Sequence, residues 1–302
     1  MTKSEIEAFL AAVEYGSLSA AAEQIYVTQP ALSRRIQNLE AELGYTLFRR
    51  EKGMRSISLT AEGQAFLSVA QKWNTVYQEA QAIRTMDQKP VLRLAAIGSI
   101  TAYVLPRILP EIAAADCPYL LDYHSCHSRE GHSLVESGFS DLVLIDHLRK
   151  AESRARGAVI STPVYSVPFI LIGGRAWKGL ETVHPSQLDP RKEIRLPWNS
   201  AFDLWHEHWF DASVHPQIRL DLAMVIKDVL RDDLFSIVPK NVGDRLAEES
   251  PDFALCRIDD GPPDEMIHAL TSVTGRHRPE VIHFFSLLKR ELQGMEDIQC
   301  YL

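Results

Sequence analysis

One amphipathic segment near the amino terminus restricts the fold of this chain more than any other feature. Between Thr28 and Gly44, leucine and isoleucine recur three or four positions apart, which is the period of a helix with one buried face. The apolar positions are Leu32, Ile36, Leu39 and Leu43. Thr28 is a good N-cap, proline is tolerated in the first turn, and Gly44 can end the helix. The segment therefore predicts a helix of about four turns with one buried and one polar face.

The polar face of this helix carries side chains that suit nucleic-acid recognition. Its outward positions are Pro30, Arg34, Gln37 and Asn38, flanked by Gln29 and Ser33. An α-helix fits the major groove of DNA, where glutamine, serine and arginine side chains bond to base edges. The residues that we expect to contact DNA are Gln29, Pro30, Ser33, Arg34 and Gln37. The alternative is an ordinary helical core with a solvated basic face.

Two shorter helical patterns precede this helix. Residues 4–7 (SEIE) form a capping-box pattern, and an apolar face of isoleucine, phenylalanine, leucine and valine follows before Gly16. Ser19 is the expected cap of a second helix that runs through Ile25. Two helices joined by a tight turn, with polar donors in the first turns of the second, predict a helix-turn-helix.

A basic hairpin is predicted next. Residues 47–50 and 56–59 alternate in the manner of strands around residues 51–55 (EKGMR). The cations expected to contact phosphates or the minor groove are Arg49, Arg50, Lys52 and Arg55. Residues 29–56 contain six cations and three anions, whereas the whole chain of 302 residues has a net charge of −8. The remainder therefore carries −11, which excludes a protein that coats nucleic acid or anionic membrane with its entire surface.

The cysteines and the apolar runs indicate the compartment. Four cysteines, Cys117, Cys126, Cys256 and Cys300, form no C-x-x-C pair, and this low density is typical of reduced cytosolic thiols. The amino terminus lacks a basic stretch followed by an apolar one, and the longest apolar run is interrupted by serine and proline. We therefore expect a cytoplasmic protein without a membrane span.

Four sequence runs together resemble the LysR-type transcriptional regulators. They are residues 9–22 (FLAAVEYGSLSAAA), 28–36 (TQPALSRRI), 47–50 (LFRR) and 59–63 (LTAEG). In that family a winged helix-turn-helix is followed by a linker helix and a two-lobed α/β regulatory domain like a type 2 periplasmic binding protein. The resemblance implies a DNA-binding domain over residues 1–59, a linker and dimerisation helix over 60–87, and an effector-binding domain over 88–302.

The resemblance also implies partners. They are double-stranded operator DNA, a small-molecule effector, a second copy of the chain in a homodimer, a further pairing of dimers into a tetramer, and RNA polymerase. It implies no cofactor, no membrane partner and no enzymatic activity. The residues agree with the last point, because the sequence contains no G-x-S-x-G elbow, no P-loop and no H-E-x-x-H motif.

Residues 60–86 predict one long helix, because neither glycine nor proline follows Gly63 in this stretch. Apolar residues within it are spaced alternately three and four apart, as in a coiled-coil seam. The expected seam residues are Phe66, Val69, Trp73, Val76, Ala80 and Ile83. A dimer through this seam would place two DNA-binding heads on two half-sites. The alternative is a helix packed on its own chain.

Strand-like and helical patterns alternate after Pro90. The strand-like runs are residues 91–98, 119–125, 141–145, 168–172, 218–221 and 235–238. Helical patterns include residues 222–230 and a closing stretch with one face formed by Val281, Phe285, Leu288 and Leu292. The alternation predicts an α/β fold with parallel sheets. The resemblance implies lobe I at about residues 91–161 and 266–302 and lobe II at about 162–265, with chain crossings near Ser161 and Glu265.

The expected effector site lies beyond the carboxyl ends of the strands, where open α/β sheets bind ligands near helix N-termini. From lobe I it comprises Ser99, Ile100, Thr101, His127, Ser128 and His147. From lobe II it comprises Trp198, Asn199, Ser200 and Phe202, which would complete a cleft. The resemblance implies effector contacts at the lobe I strand ends. The alternative for Ser99 and Thr101 is that they only cap a helix.

Two places depart from the family pattern. Residues 232–233 (DD) stand where many members carry a glycine-rich turn, which predicts a differently shaped lobe there. Asp146 and His147 stand where some aromatic-acid sensors keep a cation. A carboxylate ligand would therefore need an arginine or histidine from elsewhere.

The alternative function is a metal- or redox-responsive regulator. His124, Cys126 and His127, together with His132, could ligate zinc or copper, although their spacing matches no known finger. Cys117 and Cys126 could form a redox pair, but no cation in the sequence nearby clearly lowers a thiol pKa. Residues 205–209 (WHEHW) predict a packed amphipathic helix, because residues two apart lie on different sides of a helix.

Overall fold

The computed structural model describes residues 1–50, 57–82, 89–147 and 159–302. It consists of two compact units, one formed by Met1–Gln88 and Ser133–Ser140, the other by Lys89–His132 and Asp141–Leu302. Lys52, Arg55 and Ile83 lie outside the described ranges, and so does the side chain of Arg50. No helix within those ranges is long and apolar enough to cross a membrane.

The first unit begins with three helices and a two-stranded hairpin, followed by a long helix. The helices are α1 (Lys3–Tyr15), α2 (Leu18–Gln24), α3 (Gln29–Leu43) and α4 (Ala61–Ala82). Strands β1 (Phe48–Arg50) and β2 (Ile57–Leu59) pair antiparallel. This arrangement confirms the predicted winged helix-turn-helix and the long helix after it.

The third helix has the boundaries and the buried face that its sequence predicts. Thr28 Oγ1 accepts the N–H of Ala31 at 3.4 Å, and Gly44 ends the helix in the left-handed conformation at φ 80°. Leu32, Ile36 and Leu39 are buried, and Leu43 is half-buried. The apolar period of this segment therefore fixes which face of α3 points inward.

The first two helices begin two residues earlier than predicted. Thr2, not Ser4, precedes α1, and its backbone N–H donates to Glu5 Oε2 at 2.7 Å. Ser17, not Ser19, caps α2 by accepting a backbone N–H at 3.1 Å. At α2 the hydroxyl of Ser17 meets an unpaired N–H group, whereas at α1 the contact is between the Thr2 backbone and Glu5, so in each helix the later serine lies inside the first turn.

An aromatic cluster joins α1, the hairpin and α4. The ring of Phe9 lies 5.4 Å from that of Phe48 and 5.2 Å from that of Phe66, measured between centroids. Phe9 is fully buried and Phe66 is 4% exposed. Burial of a side chain of this size stabilises a fold by roughly 2–3 kcal/mol. The first turns of α4 therefore belong to the core of the DNA-binding head.

The larger sheet of the second unit forms lobe I. Its strands are β3 (Val91–Ala96), β4 (Leu120–Ser125), β5 (Leu142–Ile145), β6 (Val159–Val167), β13 (Glu265–Ser272) and β14 (Gln299–Cys300). Their order is β14-β6-β13-β5-β3-β4. The helices along this part of the chain are α5 (Gly98–Tyr103), α6 (Leu105–Ile112), α7 (Gly131–Glu136) and α11 (Pro279–Gln293).

The smaller sheet forms the core of lobe II. Its strands are β7 (Phe169–Gly173), β8 (Thr182–Val183), β11 (Phe235–Pro239) and β12 (Ala254–Ile258), in the order β11-β7-β12-β8. A separate pair consists of β9 (Ile194–Arg195) and β10 (Ile218–Arg219). The helices are α8 (Ser200–Trp209), α9 (Ile226–Val229) and α10 (Lys240–Glu249). The two sheets confirm a two-lobed α/β domain.

The expectation of parallel sheets is wrong, because both sheets are mixed. In lobe I, β3 is parallel to β4 and β5, whereas β13 is antiparallel to β5 and β6. In lobe II, β7 is antiparallel to β11 and β12. Antiparallel neighbours arise where the chain crosses between lobes and returns, since β6 leaves lobe I and β13 re-enters it.

The chain passes from lobe I to lobe II at Pro168, later than the sequence suggests. Ser161, the expected crossing point, lies inside β6. Pro163 is opposite His268 at a register shift in β13, so the strand continues past this proline through an irregularity. The return to lobe I begins with β13 at Glu265, which is the second expected crossing point.

One local expectation in lobe II differs from the structure, and a second concerns the turn at Asp232. Residues 222–230 contain a 3-10 turn at Ala223–Val225 and the four-residue α9 in place of a continuous helix. Of its apolar side chains, Leu222 and Met224 are about half exposed, so a longer helix would bury little more apolar surface. At the position of the family's glycine-rich turn, Asp232 adopts a left-handed φ of 44°, and the turn forms without glycine.

Candidate functional site

The exposed face of α3 presents the polar side chains that the sequence assigns to DNA. Gln29, Pro30, Arg34 and Gln37 are exposed, and Ser33 is half-buried. Arg34 forms no ion pair with any residue in the described ranges. The face therefore offers base-bonding groups whose charge is not neutralised within the described part of the chain.

Sequence reasoning missed Tyr26, which lies in the turn between α2 and α3. Its side chain is 95% exposed and its backbone φ is 55°. A left-handed backbone is uncommon for a tyrosine. The signal available in the sequence was an aromatic residue two positions before the cap of α3.

The hairpin next to α3 has the expected strands. Arg49 is exposed and pairs across the hairpin with Ser58, while Arg50 pairs with Ile57 through the backbone. The N–H of Ile57 also donates to the carbonyl of Gly16 at 3.1 Å, which fastens the hairpin to the end of α1. The hairpin is thus held at its base by the helices of the head.

The structure divides the predicted seam of α4 into two sets. Phe66 packs on Phe9, and Trp73 packs against the same head core and stacks on Tyr77 at 5.2 Å. Both residues thus contact their own chain, as the alternative interpretation of this helix expects, and their place in a dimer seam stays a prediction. Val69 is 49% exposed, Val76 is 63% exposed, and Ala80 is exposed. These three residues are seven and four positions apart and form an apolar stripe on the outside of the helix, narrower than the predicted seam.

The carboxyl ends of β3, β4 and β5 lie side by side and are called the carboxyl edge below. Ser99, in the first turn of α5, is 9% exposed and has no hydrogen bond to the described residues. Thr101 Oγ1 donates to the carbonyl of Ile97 at 2.9 Å and bonds to the hydroxyl of Tyr123. Ile100 is fully buried, so its side chain belongs to the core, and its contact with an effector stays a prediction.

Ser128, Asp146 and His147 are brought together at this edge. The hydroxyl of Ser128 donates to Asp146 Oδ1, and His147 Nδ1 lies 2.9 Å from the same oxygen. Ser128 is buried, whereas the His147 side chain is 43% exposed. His127 is exposed, and its backbone N–H donates to Glu130 at 3.0 Å. The cluster offers a carboxylate, a hydroxyl and an imidazole within one short stretch of the edge.

Glu265 and Tyr165 are a second pair that sequence reasoning missed. Glu265, the first residue of β13, is 1% exposed, and its Oε1 has no hydrogen-bond partner in the described structure. Burial, reinforced by the charge of Asp146, raises the pKa of Glu265 to about 8. Burial and both carboxyl groups hold the pKa of Tyr165 well above its usual value. In the sequence, Glu265 next to Asp264 resembles a solvated loop residue.

The predicted residues of lobe II serve mainly structural roles. Trp198 donates its indole N–H to the carbonyl of Ile237 at 2.8 Å. Asn199 caps α8 by accepting the N–H of Phe202 at 3.0 Å, and Ser200 is exposed. Phe202 is 1% exposed and packs in the core of lobe II, and its contact with an effector stays a prediction.

Helix α5 links the two lobes. Its residues Ala102 and Tyr103 pack in an apolar cluster of lobe II that also includes Trp198. Tyr103 is 5% exposed, and burial raises its pKa to about 12. The helix that starts at the carboxyl edge therefore ends inside the neighbouring lobe.

The metal and redox alternatives find no support in the described residues. Among them, no group of three side chains could hold a metal ion, so His124, Cys126 and His127 do not form a site. Burial raises the pKa of the Cys126 thiol to about 12, which keeps it protonated and unreactive. Cys117 and Cys126 are free thiols, and Cys117 is buried.

Two family profiles match the chain. Residues 4–64 match the bacterial regulatory helix-turn-helix protein, lysR family. Residues 87–293, more than half of the chain, match the LysR substrate binding domain. The boundary between the two matches falls in and just after α4.

Individual relatives are similar over part of their length. The chain is 35% identical over 142 residues to the uncharacterized HTH-type transcriptional regulator YxjO of Bacillus subtilis, which covers 46% of this chain and 48% of that protein. It is 38% identical over 103 residues to the HTH-type transcriptional regulator BenM of Acinetobacter baylyi, and this match covers 33% of each chain. The matched region thus spans about half or less of these curated relatives.

Solved structures share the fold over nearly the whole chain. CbnR, a LysR family transcriptional regulator, superposes with a TM-score of 0.66 at 21% identity, covering 96% of this chain and 99% of that one. ArgP from Mycobacterium tuberculosis gives a TM-score of 0.61 at 18% identity over 98% of both chains. With both domains matched in sequence and the fold shared, the chain belongs to the LysR family of DNA-binding transcriptional regulators, which are not enzymes.

Proposed function

We propose that this chain acts in the bacterial cytoplasm as a homodimeric regulator that binds operator DNA through α3 and the hairpin. The observation that carries the proposal is the two-sided character of α3. Its apolar side is buried in the head, and its other side exposes Gln29, Arg34 and Gln37. A surface helix with unneutralised base-bonding groups is what major-groove recognition requires.

Base contacts and backbone contacts are divided between the two elements. Arg34 and Gln29, in the first two turns of α3, are proposed to bond to base edges. Arg49 and Arg50, together with Lys52 and Arg55 of the hairpin tip, are proposed to hold phosphates or enter the minor groove. The dimer would use the outer stripe of α4, which includes Val69, Val76 and Ala80, because these apolar side chains are exposed.

The effector is proposed to bind at the carboxyl edge, between lobes I and II. The groups available there are the hydroxyls of Ser99 and Ser128, the carboxylate of Asp146 and the His147 ring, with Asn199 and Ser200 from lobe II. A ligand that binds one lobe arrangement better than another shifts the population toward it, by no more than its differential affinity. Pairing of dimers and contact with RNA polymerase are further parts of this proposal.

Selection of DNA from a random duplex pool tests the proposed function. The full chain should retain a defined sequence with two half-sites about one helical turn or a multiple of it apart. Retention should fall steeply with salt, because each neutralised phosphate releases counterions. Enrichment of no sequence, with equal retention of all duplexes, would contradict sequence-specific binding. Sedimentation of the free chain measures the dimer independently of DNA.

A further inference from the structure

Three oxygen atoms at the carboxyl edge accept no hydrogen bond within the described structure. Asp146 uses Oδ1 for both Ser128 and His147, which leaves Oδ2 free. Glu265 Oε1 is buried without a partner. The Ser99 hydroxyl, on a residue that is 9% exposed, forms no hydrogen bond within the described ranges. A buried acceptor without a donor is uncommon in folded proteins, so Glu265 Oε1 points to a missing partner.

The pairing of β13 with β5 places two of these groups next to each other. Ile145, the last residue of β5, is opposite His268. If the pairing of β5 with β13 continues by one position past Ile145, Asp146 lies opposite Ile267. Asp146 is then diagonal to Glu265. Diagonal positions on neighbouring strands are about 7–8 Å apart at the backbone, and long side chains bridge that separation.

The third group reaches the same place from β3. The N–H of Ile97 donates to the carbonyl of Leu144 at 3.2 Å, so the ends of β3 and β5 are joined at this level. Ser99 lies two residues after Ile97, and Asp146 lies two residues after Leu144. The three free acceptors therefore converge from β3, β5 and β13 on one end of the sheet.

The ionisable groups that face Glu265 are acidic. They are Asp146, from the end of β5, and Tyr165, from β6, and both interact electrostatically with it. His147 bonds to Asp146 from the open side of the edge. In the described ranges, neither Asp146 nor Glu265 forms an ion pair with an arginine or lysine. The edge is thus rich in oxygen atoms, and its negative charge near neutral pH lies on Asp146.

We propose that the effector carries a primary ammonium group, held by Asp146, Glu265 and Ser99. The inference builds on the proposed function, since it names the chemical class of the ligand at the proposed effector site. An ammonium group has three N–H donors and one positive charge, which match the three oxygen atoms and the negative charge of Asp146. A carboxylate ligand would instead be repelled by Asp146, and of these three groups only the Ser99 hydroxyl and the protonated form of Glu265 could donate to it.

Ammonium binding is coupled to proton release. Glu265 binds a proton near neutral pH because burial favours its neutral form, so it enters the complex as an acid. A cation at hydrogen-bond distance favours the carboxylate, and the displaced proton goes to the buffer. At pH 7 an acid with a pKa of 8 is about nine-tenths protonated, so release should approach one proton per ligand.

Matched probes separate the ammonium from the rest of the ligand. We would measure the thermal unfolding midpoint of the full chain with benzylamine, benzyl alcohol and benzoate at equal concentrations. Putrescine and ethanolamine supply smaller primary amines, and magnesium chloride supplies a divalent cation. At least one amine should raise the midpoint by about 3–5 °C when present at about ten times its Kd. Benzyl alcohol and benzoate should give no comparable rise.

Variants then assign the effect to the named residues. Asp146→Asn and Glu265→Gln keep the shape of each side chain, and each should weaken binding of the stabilising amine by at least about tenfold. Asp122→Asn removes a charge from an exposed position of β4 and is the matched control, which should bind the amine as the unmodified chain does. Calorimetry in phosphate and in Tris measures the released protons, and Glu265→Gln should abolish that release.

The outcomes distinguish this inference from the function on which it rests. Stabilisation by benzoate alone, by magnesium alone or by none of the amines overturns the ammonium assignment. Equal amine affinity in all three variants overturns it as well. Operator retention, measured on the same protein preparation, tests the regulator independently, because a chain that binds its operator but prefers benzoate is still a regulator with a different ligand class.

Discussion

The side-chain carboxylate of Glu40, near the end of α3, accepts the backbone N–H of Leu47 at 2.6 Å. The same oxygen, Oε1, also accepts the N–H of Phe48 at 3.2 Å, where the hairpin begins. One side chain of the proposed recognition helix therefore fixes the start of the strand that carries Arg49 and Arg50. The position of the hairpin cations relative to α3 depends on this link.

Replacing Glu40 with alanine should loosen the hairpin. Two N–H groups would lose a charged acceptor, and a hydrogen bond to a charged group contributes about 1.5–3 kcal/mol. We expect a loss of about 1–3 kcal/mol in the stability of the head, measured by chemical denaturation. Glu42→Ala is the control, since Glu42 is exposed and bonds only to the amino terminus. Equal losses in the two variants would show that the link contributes nothing.

Gly63 should not tolerate a side chain. A Cβ at this position of α4 would lie 2.1 Å from the carbonyl oxygen of Leu47, which is backbone and cannot rotate away. Gly63→Ala should therefore destabilise the head by at least about 1–3 kcal/mol. Gly98→Ala is the matched control, because an added Cβ there meets nothing within 4 Å. A thermal midpoint of Gly63→Ala equal to that of the unmodified chain contradicts the packing described.

Local periodicity explains which elements the sequence predicts well. The stripe of Leu32, Ile36 and Leu39 repeats within one segment, so it defines the helix and its buried face without further information. The caps of α1 and α2 differ from the predicted ones because two hydroxyl residues lie near each helix start. Which of the two caps the helix depends on the path of the chain before it. The crossing expected near Ser161 lies inside β6, and this strand continues past Pro163 through an irregular register opposite β13.

Contacts between distant segments explain what the sequence could not predict. The spacing of Phe66 and Trp73 fits a dimer seam equally well as a core position, and only the ring of Phe9 decides between them. The sequence around Phe202 likewise fits both a ligand contact and a residue in the core of lobe II. Glu265 escaped notice because its burial depends on strands that are about a hundred residues apart in the chain.

Glu265 should make stability depend on pH. Its pKa is about 8 in the folded chain and 4.5 without the fold, so the folded state binds the proton more tightly. The contribution of Glu265 to folding stability is therefore fully present below pH 4.5 and is lost as the pH rises through 8. The loss is on the order of 4 kcal/mol over that window. Asp146 and Tyr165, which face Glu265, contribute to its size.

The Glu265→Gln variant isolates this contribution. Glutamine does not titrate, so the difference in stability between the two proteins should move in favour of the variant between pH 5 and pH 8. Denaturation of both proteins at several pH values measures the difference. A constant difference across this range would show that Glu265 is ionised throughout.

The outer stripe of α4 should control dimerisation. Val69→Asp and Val76→Asp place charges on exposed apolar positions and leave Phe66 and Trp73 in the head core. The double variant should sediment as a monomer with native helix content, and its operator affinity should fall because the half-sites are no longer linked. Glu62→Gln, on an exposed position of the first turn, is the control. A dimer that persists in the double variant places the interface elsewhere.

The affinity of Gln29→Ala, Arg34→Ala for the selected operator tests sequence reading by α3 most directly. Each bond to a base edge contributes about 1–3 kcal/mol, so the double variant should lose at least about tenfold and should distinguish the operator less well from random DNA. Arg49→Ala should lower the affinity for the operator and for random DNA by similar factors. Arg191→Ala, on the surface of lobe II, should change neither affinity. Unchanged operator affinity in the α3 double variant would contradict the account.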